Sequence, residues 1–191
     1  MEGATQIFIY TTNSDFIFAN TTAALERLRL NIFGARIFTS ANGYCLDTFT
    51  VLENTGRPIG RNPKRLAEVK SVLVASLTAG NKPLQPARFR RTRKEKYFGQ
   101  RVEANLINTA DKNYSTLEVN CPDQPGILAC VGKIFVDNGV HLKDARITTL
   151  GERVEDLFFV TDARGQAITD TTAVDTLLDE IKSQLEARLA A

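Results

Sequence analysis

The 191-residue sequence predicts an α+β fold built from two similar units, each an antiparallel sheet with two helices on one face. Two observations carry this. First, the chain matches itself at an offset of about 110 residues: Asn31-Ile32-Phe33-Gly34-Ala35-Arg36-Ile37-Phe38-Thr39 aligns with His141-Leu142-Lys143-Asp144-Ala145-Arg146-Ile147-Thr148-Thr149. After one extra residue in the first copy, Leu46-Asp47-Thr48-Phe49 faces Glu155-Asp156-Leu157-Phe158, and Gly56-Arg57-Pro58-Ile59 faces Gly165-Gln166-Ala167-Ile168. Second, both copies run through the same order of periodicities: strand, helix, strand, strand, helix. Two copies are too few for a solenoid, so two copies of one small domain are the simplest account.

In the first copy, Gln6–Tyr10 alternates as a strand. A helix over Ala19–Arg29 carries Ala23, Ala24, Leu25 and Leu28 at helical spacing. Strands at Ala35–Ser40 and Cys45–Leu52 form a hairpin around Asn42-Gly43, a strong turn dipeptide. Asn62 caps the next helix with Pro63 at its first position, and Leu66, Val69, Leu73 and Leu77 make its buried stripe. In the second copy, Leu117–Asn120 is a strand, followed by a helix lined by Val131, Ile134 and Phe135 that stops at Gly139. Strands at Asp144–Leu150 and Val154–Asp162 come next. A last helix, roughly Thr172–Leu189, buries Val174, Leu177, Leu178, Ile181 and Leu185. This order is ferredoxin-like, of the βαββαβ type.

That layout normally ends with a strand after the second helix, beside strand one. The second copy stops at its helix, but Arg101–Asn108 alternates as a strand just upstream and is expected to fill that edge. The first copy would need such a strand before Met1, and the start at Met1-Glu2-Gly3 running straight into a strand suggests a piece of a longer chain. Without it the first copy has an open edge, to be covered by a neighbour or by the linker. The domains are therefore placed at 1–79 and 101–191, with residues 80–100 as linker. The linker holds Arg88, Arg90, Arg91, Arg93, Lys94 and Lys96 with Phe89, Tyr97 and Phe98 interleaved. It is either a solvated connector or a docking patch for an acidic surface or nucleic acid.

The composition excludes several chemistries. A net charge of +2 gives no global field for nucleic acid or membrane, and no apolar run approaches the ~18–20 residues that span a bilayer. The single His141 excludes a histidine-rich metal site, and Cys45, Cys121 and Cys130 match no common zinc spacing. Three cysteines on predicted strand and helix faces point to reduced thiols in a cytoplasmic protein, serving as small apolar fillers. There is no nucleophile elbow, Walker loop or dinucleotide fingerprint. No catalytic residue and no metal ligand is assigned.

The most informative stretch is Cys121-Pro122-Asp123-Gln124-Pro125-Gly126, between a strand and a helix. Pro125 suits the first helical turn, Asp123 can accept hydrogen bonds from that turn's amides, and Gly126 permits a close approach by backbone or ligand. Free amides at a helix start also suit an anionic group such as a carboxylate.

Asp123-Gln124-Pro125-Gly126 entering a helix, then Gly139-Val140-His141-Leu142 entering strand two, resembles the ACT domain family. The run from Asp144 to Phe158 is similar to the last ACT repeat of the bacterial bifunctional uridylyltransferase/uridylyl-removing enzymes, and Gly3–Thr11 to the entry of their first repeat. The resemblance implies a regulatory C-terminal piece, not itself an enzyme and without its own cofactor. It implies upstream magnesium-using catalytic domains, glutamine or another amino acid as ligand, and control of the PII nitrogen-signal protein. It also implies ACT–ACT pairing or homo-oligomers. Sites in this family lie between the first loop and the start of strand two, often across a domain pair. Carried over, they fall on Asp123, Gln124, Pro125, Gly126 and Ile127, with His141 and Leu142. In the first repeat they fall on Asn13, Ser14 and Asn31. Phe16 stands in the glycine's place there, so the two sites are expected to differ and the second repeat is the first choice. The packing between repeats, hinged by the linker, is the expected bistable element.

Bland roles stand beside these. Asp123 could be only a helix cap, Gly126 could serve helix–sheet packing, and His141 could be a locally bonded strand-edge histidine. Arg36 and Arg146 could form ion pairs with Asp47 and Asp156. A ligand-free pairing module is the main alternative. An RNA-recognition motif shares the element order but needs stacking aromatics, which Leu117-Glu118-Val119-Asn120 lacks.

Overall fold

The computed structural model describes residues 3–14, 16–40, 42–78, 101–150 and 153–190. The basic stretch at 80–100 lies outside the described residues. The first half consists of β1 (Thr5–Thr12), α1 (Ile17–Arg27), β2 (Leu30–Phe38), β3 (Tyr44–Glu53) and α2 (Pro63–Thr78). The second consists of β4 (Glu103–Asn108), β5 (Ser115–Pro122), α3 (Ile127–Asp137), β6 (His141–Arg146), β7 (Thr149–Leu150), β8 (Arg153–Thr161) and α4 (Thr171–Ala190).

The two halves do not form separate sheets. One antiparallel sheet runs in the order β1-β3-β2-β6-β8-β5-β4, with the short β7 pairing β8 off this path. The join is a short ladder in which Arg36, Ile37 and Phe38 face Arg146, Ala145 and Asp144. Arg36 and Arg146 are equivalent in the repeat, so a pseudo-twofold axis passes between them. Both joining strands carry a register shift at matching places, between Ile32 and Gly34 and between Leu142 and Asp144. Such an extra residue bends a strand and resets which side chains face the core.

Local signals account for the ends of the elements. Asn62 Oδ1 accepts from the amides of Lys64 and Arg65 at 3.0 and 3.4 Å, capping α2 as expected, with Pro63 first in the helix. Gly43 takes φ 80° in the β2–β3 turn, and Gly139 takes φ 63° just past α3. β4 pairs with β5 from Glu103↔Asn120 to Asn108↔Ser115, so the upstream strand fills the edge beside strand one. At the other end of the sheet β1 is the terminal strand among the described residues. Leu66, expected in the buried stripe of α2, is 43% exposed; α2 packs on α1, and Val69 and Leu73 of that stripe are buried. The uncovered face of the first half also exposes Phe8, Tyr10, Phe38, Tyr44 and Leu46, with the Tyr10 and Tyr44 rings stacked at 5.3 Å.

The helices lie on the other face, where α1 and α3 meet over the join. α1 is enclosed by the sheet, α2 and α3, so Ile17 through Glu26 are all buried. The centre of the core is aromatic: Phe158 is fully buried and meets Phe135 and Phe18 edge-on at 5.3 and 6.1 Å. Gly132 of α3 packs directly on Ala19 of α1; a Cβ at Gly132 would fall 2.9 Å from both Ala19 Cα and Cβ. A helix-interior glycine is unfavourable by itself, so the backbone contact explains its presence. Substituting Gly132→Val is expected to lower stability by about 1–3 kcal/mol in chemical denaturation, because α1 and α3 must separate to admit the side chain.

Candidate functional site

The pseudo-twofold axis generates two cavities, each between the first loop of one half and the start of strand two of the other. The first-half loop residues Asn13 and Ser14 meet Val140, His141 and Leu142. The second-half corner Asp123-Gln124-Pro125-Gly126, with Ile127, meets Leu30, Asn31 and Ile32. The structure thus brings together all the residues singled out from sequence, but crosswise. The Asp123–Ile127 corner joins Asn31, while His141 and Leu142 join Asn13 and Ser14. Strand two of each half leads from the join, which carries its first residues under the neighbouring half's loop.

The cavities are unequal. The one at the Pro-Gly corner holds about 330 Å³, near the lower end of the ~300–1,000 Å³ typical of small-molecule sites. Its counterpart holds about 30 Å³, room for little more than a water molecule. Two differences in sequence explain this. Phe16 caps α1 in a right-handed conformation where Gly126 caps α3 with φ 87°. The close Ala19–Gly132 contact closes the helices beside the small cavity, whereas the equivalent pair, Ala129 and Thr22, lines the large one. Thr22 adds bulk there, and its hydroxyl donates back to the Phe18 and Ala19 carbonyls at 2.8 and 3.1 Å.

The corner itself departs from the sequence expectation. α3 begins at Ile127 with Gly126 as its N-cap, Pro125 lies in the preceding turn, and no side chain caps the helix. Asp123 is therefore not a cap. The close approach that Gly126 permits is made by Arg188 from α4. A Cβ at Gly126 would fall 1.6 Å from Arg188 Nη2 and 2.6 Å from Glu26 Oε1. Arg188 donates to the Pro125 carbonyl from Nε and Nη2 at 3.0 and 2.6 Å. Its Nη2 also pairs with the buried Glu26 of α1 at 3.1 Å. This clamp ties the first half, the corner and the last helix together, and a charged pair largely out of water is sensitive to loss of either partner.

Each cavity also contains a buried carboxylate. Asp47 and Asp156, equivalent in the repeat, are both 1% exposed. Asp156 Oδ1 accepts from the Thr148 amide at 3.2 Å, and Asp47 is held in the same way by the Phe38 amide. The remaining oxygen of each, Asp47 Oδ1 and Asp156 Oδ2, has no hydrogen-bond partner among the described residues. They do not pair with Arg36 and Arg146. Strand alternation puts the aspartates on the helix-covered face and the arginines on the open face, where Arg146 lies 5.6 Å from the Phe159 ring centroid. Burial raises Asp47 to about 7 against its backbone hydrogen bond. Burial, aided by the nearby Asp123 charge, raises Asp156 to about 7 against the Thr148 amide. Asp123 stands at the mouth, exposed by area, yet crowded enough that desolvation raises its pKa as well.

Sequence reasoning missed Glu26, Arg188 and the cavity role of the two aspartates. A signal for the aspartates was present: Cys45, Asp47, Phe49 and Val51 alternate onto one face, and all are buried. The three cysteines are buried and unpaired, and burial pushes the thiols of Cys45 and Cys121 up to about 11 and about 12. Among the described residues no group of three or more His, Cys, Asp or Glu side chains could hold a metal ion, and no helix is long and apolar enough to cross a membrane.

An antiparallel α+β sheet carrying paired helices on one face, repeated once in the chain, defines a ferredoxin-like fold. Residues 115–186 match the ACT domain family. Along nearly its whole length the chain is similar to bifunctional uridylyltransferase/uridylyl-removing enzymes. It is 42% identical to that of Pseudomonas fluorescens over 184 residues, 96% of this chain and 20% of the relative. It is 43% identical to that of Stutzerimonas stutzeri over 97% of this chain and 21% of the relative. A third, from Pseudomonas entomophila, is 40% identical over 100% of this chain and 21% of the relative. The chain therefore spans about a fifth of the length of these relatives.

The raised aspartates make stability depend on pH in a defined direction. The folded chain holds protons that the unfolded chain releases near its ordinary carboxylate pKa of about 4. The stabilisation is complete below that value and is lost as pH rises through about 7. The melting temperature is expected to fall between about pH 5 and 8. Asp47→Asn, which keeps the acceptor but cannot ionise, should flatten this profile and raise the melting temperature at the alkaline end by roughly 2–4 °C or more.

Proposed function

We propose that this chain is the amino-acid-sensing module of a larger bifunctional uridylyltransferase/uridylyl-removing enzyme, with glutamine as its ligand. The observation that carries this is the roughly 330 Å³ cavity at the Asp123–Ile127 corner, walled by both halves. A ligand there touches the corner of one half and Leu30–Ile32 of the other, and so favours the joined arrangement over any in which the halves part. High glutamine would thereby favour removal of uridylyl groups from the PII protein, and low glutamine their addition. The upstream magnesium-using catalytic domains, the cytoplasmic setting and the partition into two ACT repeats with a linker at 80–100 belong to the same proposal. Similarity to enzymes five times longer supports them.

The energetics required are modest. A millimolar metabolite is best sensed with a comparable dissociation constant, about −4 kcal/mol, and regulatory coupling of about 1–3 kcal/mol is sufficient. The other reading is a ligand-free pairing module. It is favoured by the small cavity, which is nearly filled, and by the β2–β6 join, which needs no ligand to form.

Calorimetric titration of the chain with glutamine and a panel of other amino acids separates the two. One glutamine per chain is expected, with a millimolar-range dissociation constant and a higher melting temperature. No heat and no melting shift with any amino acid would leave the pairing module standing.

A further inference from the structure

Arg29 follows α1 with φ 58°, the left-handed conformation, and is the only non-glycine residue with positive φ among the described residues. The repeat-equivalent residue is Gly139, φ 63°, the residue type this position normally takes because a Cβ is sterically disfavoured there. The local backbone thus favours glycine, and the chain carries arginine instead. Backbone strain of this kind is associated with functional sites. Arg29 lines the larger cavity and forms no ion pair among the described residues. The same cavity contains Asp156, 1% exposed, with one oxygen held by the Thr148 amide and Oδ2 without a partner among the described residues, and Asp123 lies near enough to act on it electrostatically. The third acid of the wall, Glu26, is engaged by Arg188.

We propose that the larger cavity is built for a zwitterion: Arg29 receives the α-carboxylate of the ligand, and Asp156 with Asp123 receives its α-ammonium group. This rests on the reading of the cavity as an amino-acid site and specifies which charges select the ligand. The smaller cavity supplies a comparison inside the same molecule. It keeps the equivalent acid, Asp47, but the repeat equivalent of Arg29 is Gly139, which brings no charge to it. Only one cavity carries both charges, and it is the one with room for a ligand. A dicarboxylate or a simple amine finds only one of its two partners there, so the arrangement selects against each.

The test is calorimetric titration of the 191-residue chain and its Arg29→Gly and Asp156→Asn variants. The probes are L-glutamine, its deaminated analogue glutaramate and its decarboxylated analogue 4-aminobutanamide. The unaltered chain should bind each analogue roughly 10-fold or more weakly than glutamine, since each loses one charge-assisted contact. Arg29→Gly should melt at a higher temperature, because the strain is relieved, yet bind glutamine roughly 10-fold or more weakly. It should also no longer distinguish glutamine from 4-aminobutanamide. Asp156→Asn should lose the distinction between glutamine and glutaramate. If the unaltered chain binds glutamine and both variants bind it equally well, the charge assignment is wrong and the amino-acid site stands. If the unaltered chain binds no glutamine, the amino-acid reading fails and the assignment with it.

Discussion

The short antiparallel ladder between β2 and β6 sets everything else in place. Three facing pairs, centred near Arg36 and Arg146, join two repeats into one sheet and impose the pseudo-twofold axis. Once the strands meet in that register, α1 and α3 must lie side by side over the seam, and each first loop must lie over the other half's second strand. Gly132 on Ala19 then fixes how close the helices come. The ladder is too short to hold two domains by hydrogen bonds alone, given that each contributes only about 1 kcal/mol net. The helix contact and the Glu26–Arg188–Pro125 clamp share that role.

Symmetry in the backbone has been broken in the side chains, and the break falls at the two cavities. Phe16 against Gly126, Gly132 against Thr22, and Gly139 against Arg29 are three equivalent pairs with unequal bulk or charge. The first two account for one cavity being nearly filled and the other open. The buried aspartates are the part left symmetric, and each is anchored in the same way by the amide of a residue near the seam. Keeping an ionisable group there is costly to the fold at neutral pH, which makes sense for a polar cavity and not for a packed core.

Much of the fold was legible because its signals are local. Asn62-Pro63, Asn42-Gly43 and Gly139 mark ends and turns that depend on a few neighbouring residues, and the structure places them where those residues indicate. The upstream edge strand was also readable, because one alternating segment had no other place to pair. What was not legible is non-local. Nothing in β2 or β6 says which strand edge it will find, so the merging of two sheets into one, and the crossing of loop and strand between halves, emerge only in three dimensions. Gly126 was read as permissive for a ligand or for packing against the sheet; its actual neighbour, Arg188, is 62 residues away in sequence. Arg29 was absorbed into the helix by its hydrophobic period, although the chain leaves the helix two residues earlier.

The central claim is that one ligand bridges the two halves at the larger cavity. Backbone hydrogen exchange of the chain with and without glutamine tests it most directly, because it locates protection along the sequence. The account requires slowed exchange in two distant segments together, 122–129 and 29–33, with 12–14 and 139–142 unchanged. Protection confined to one half, or appearing instead at 12–14 and 139–142, would contradict it.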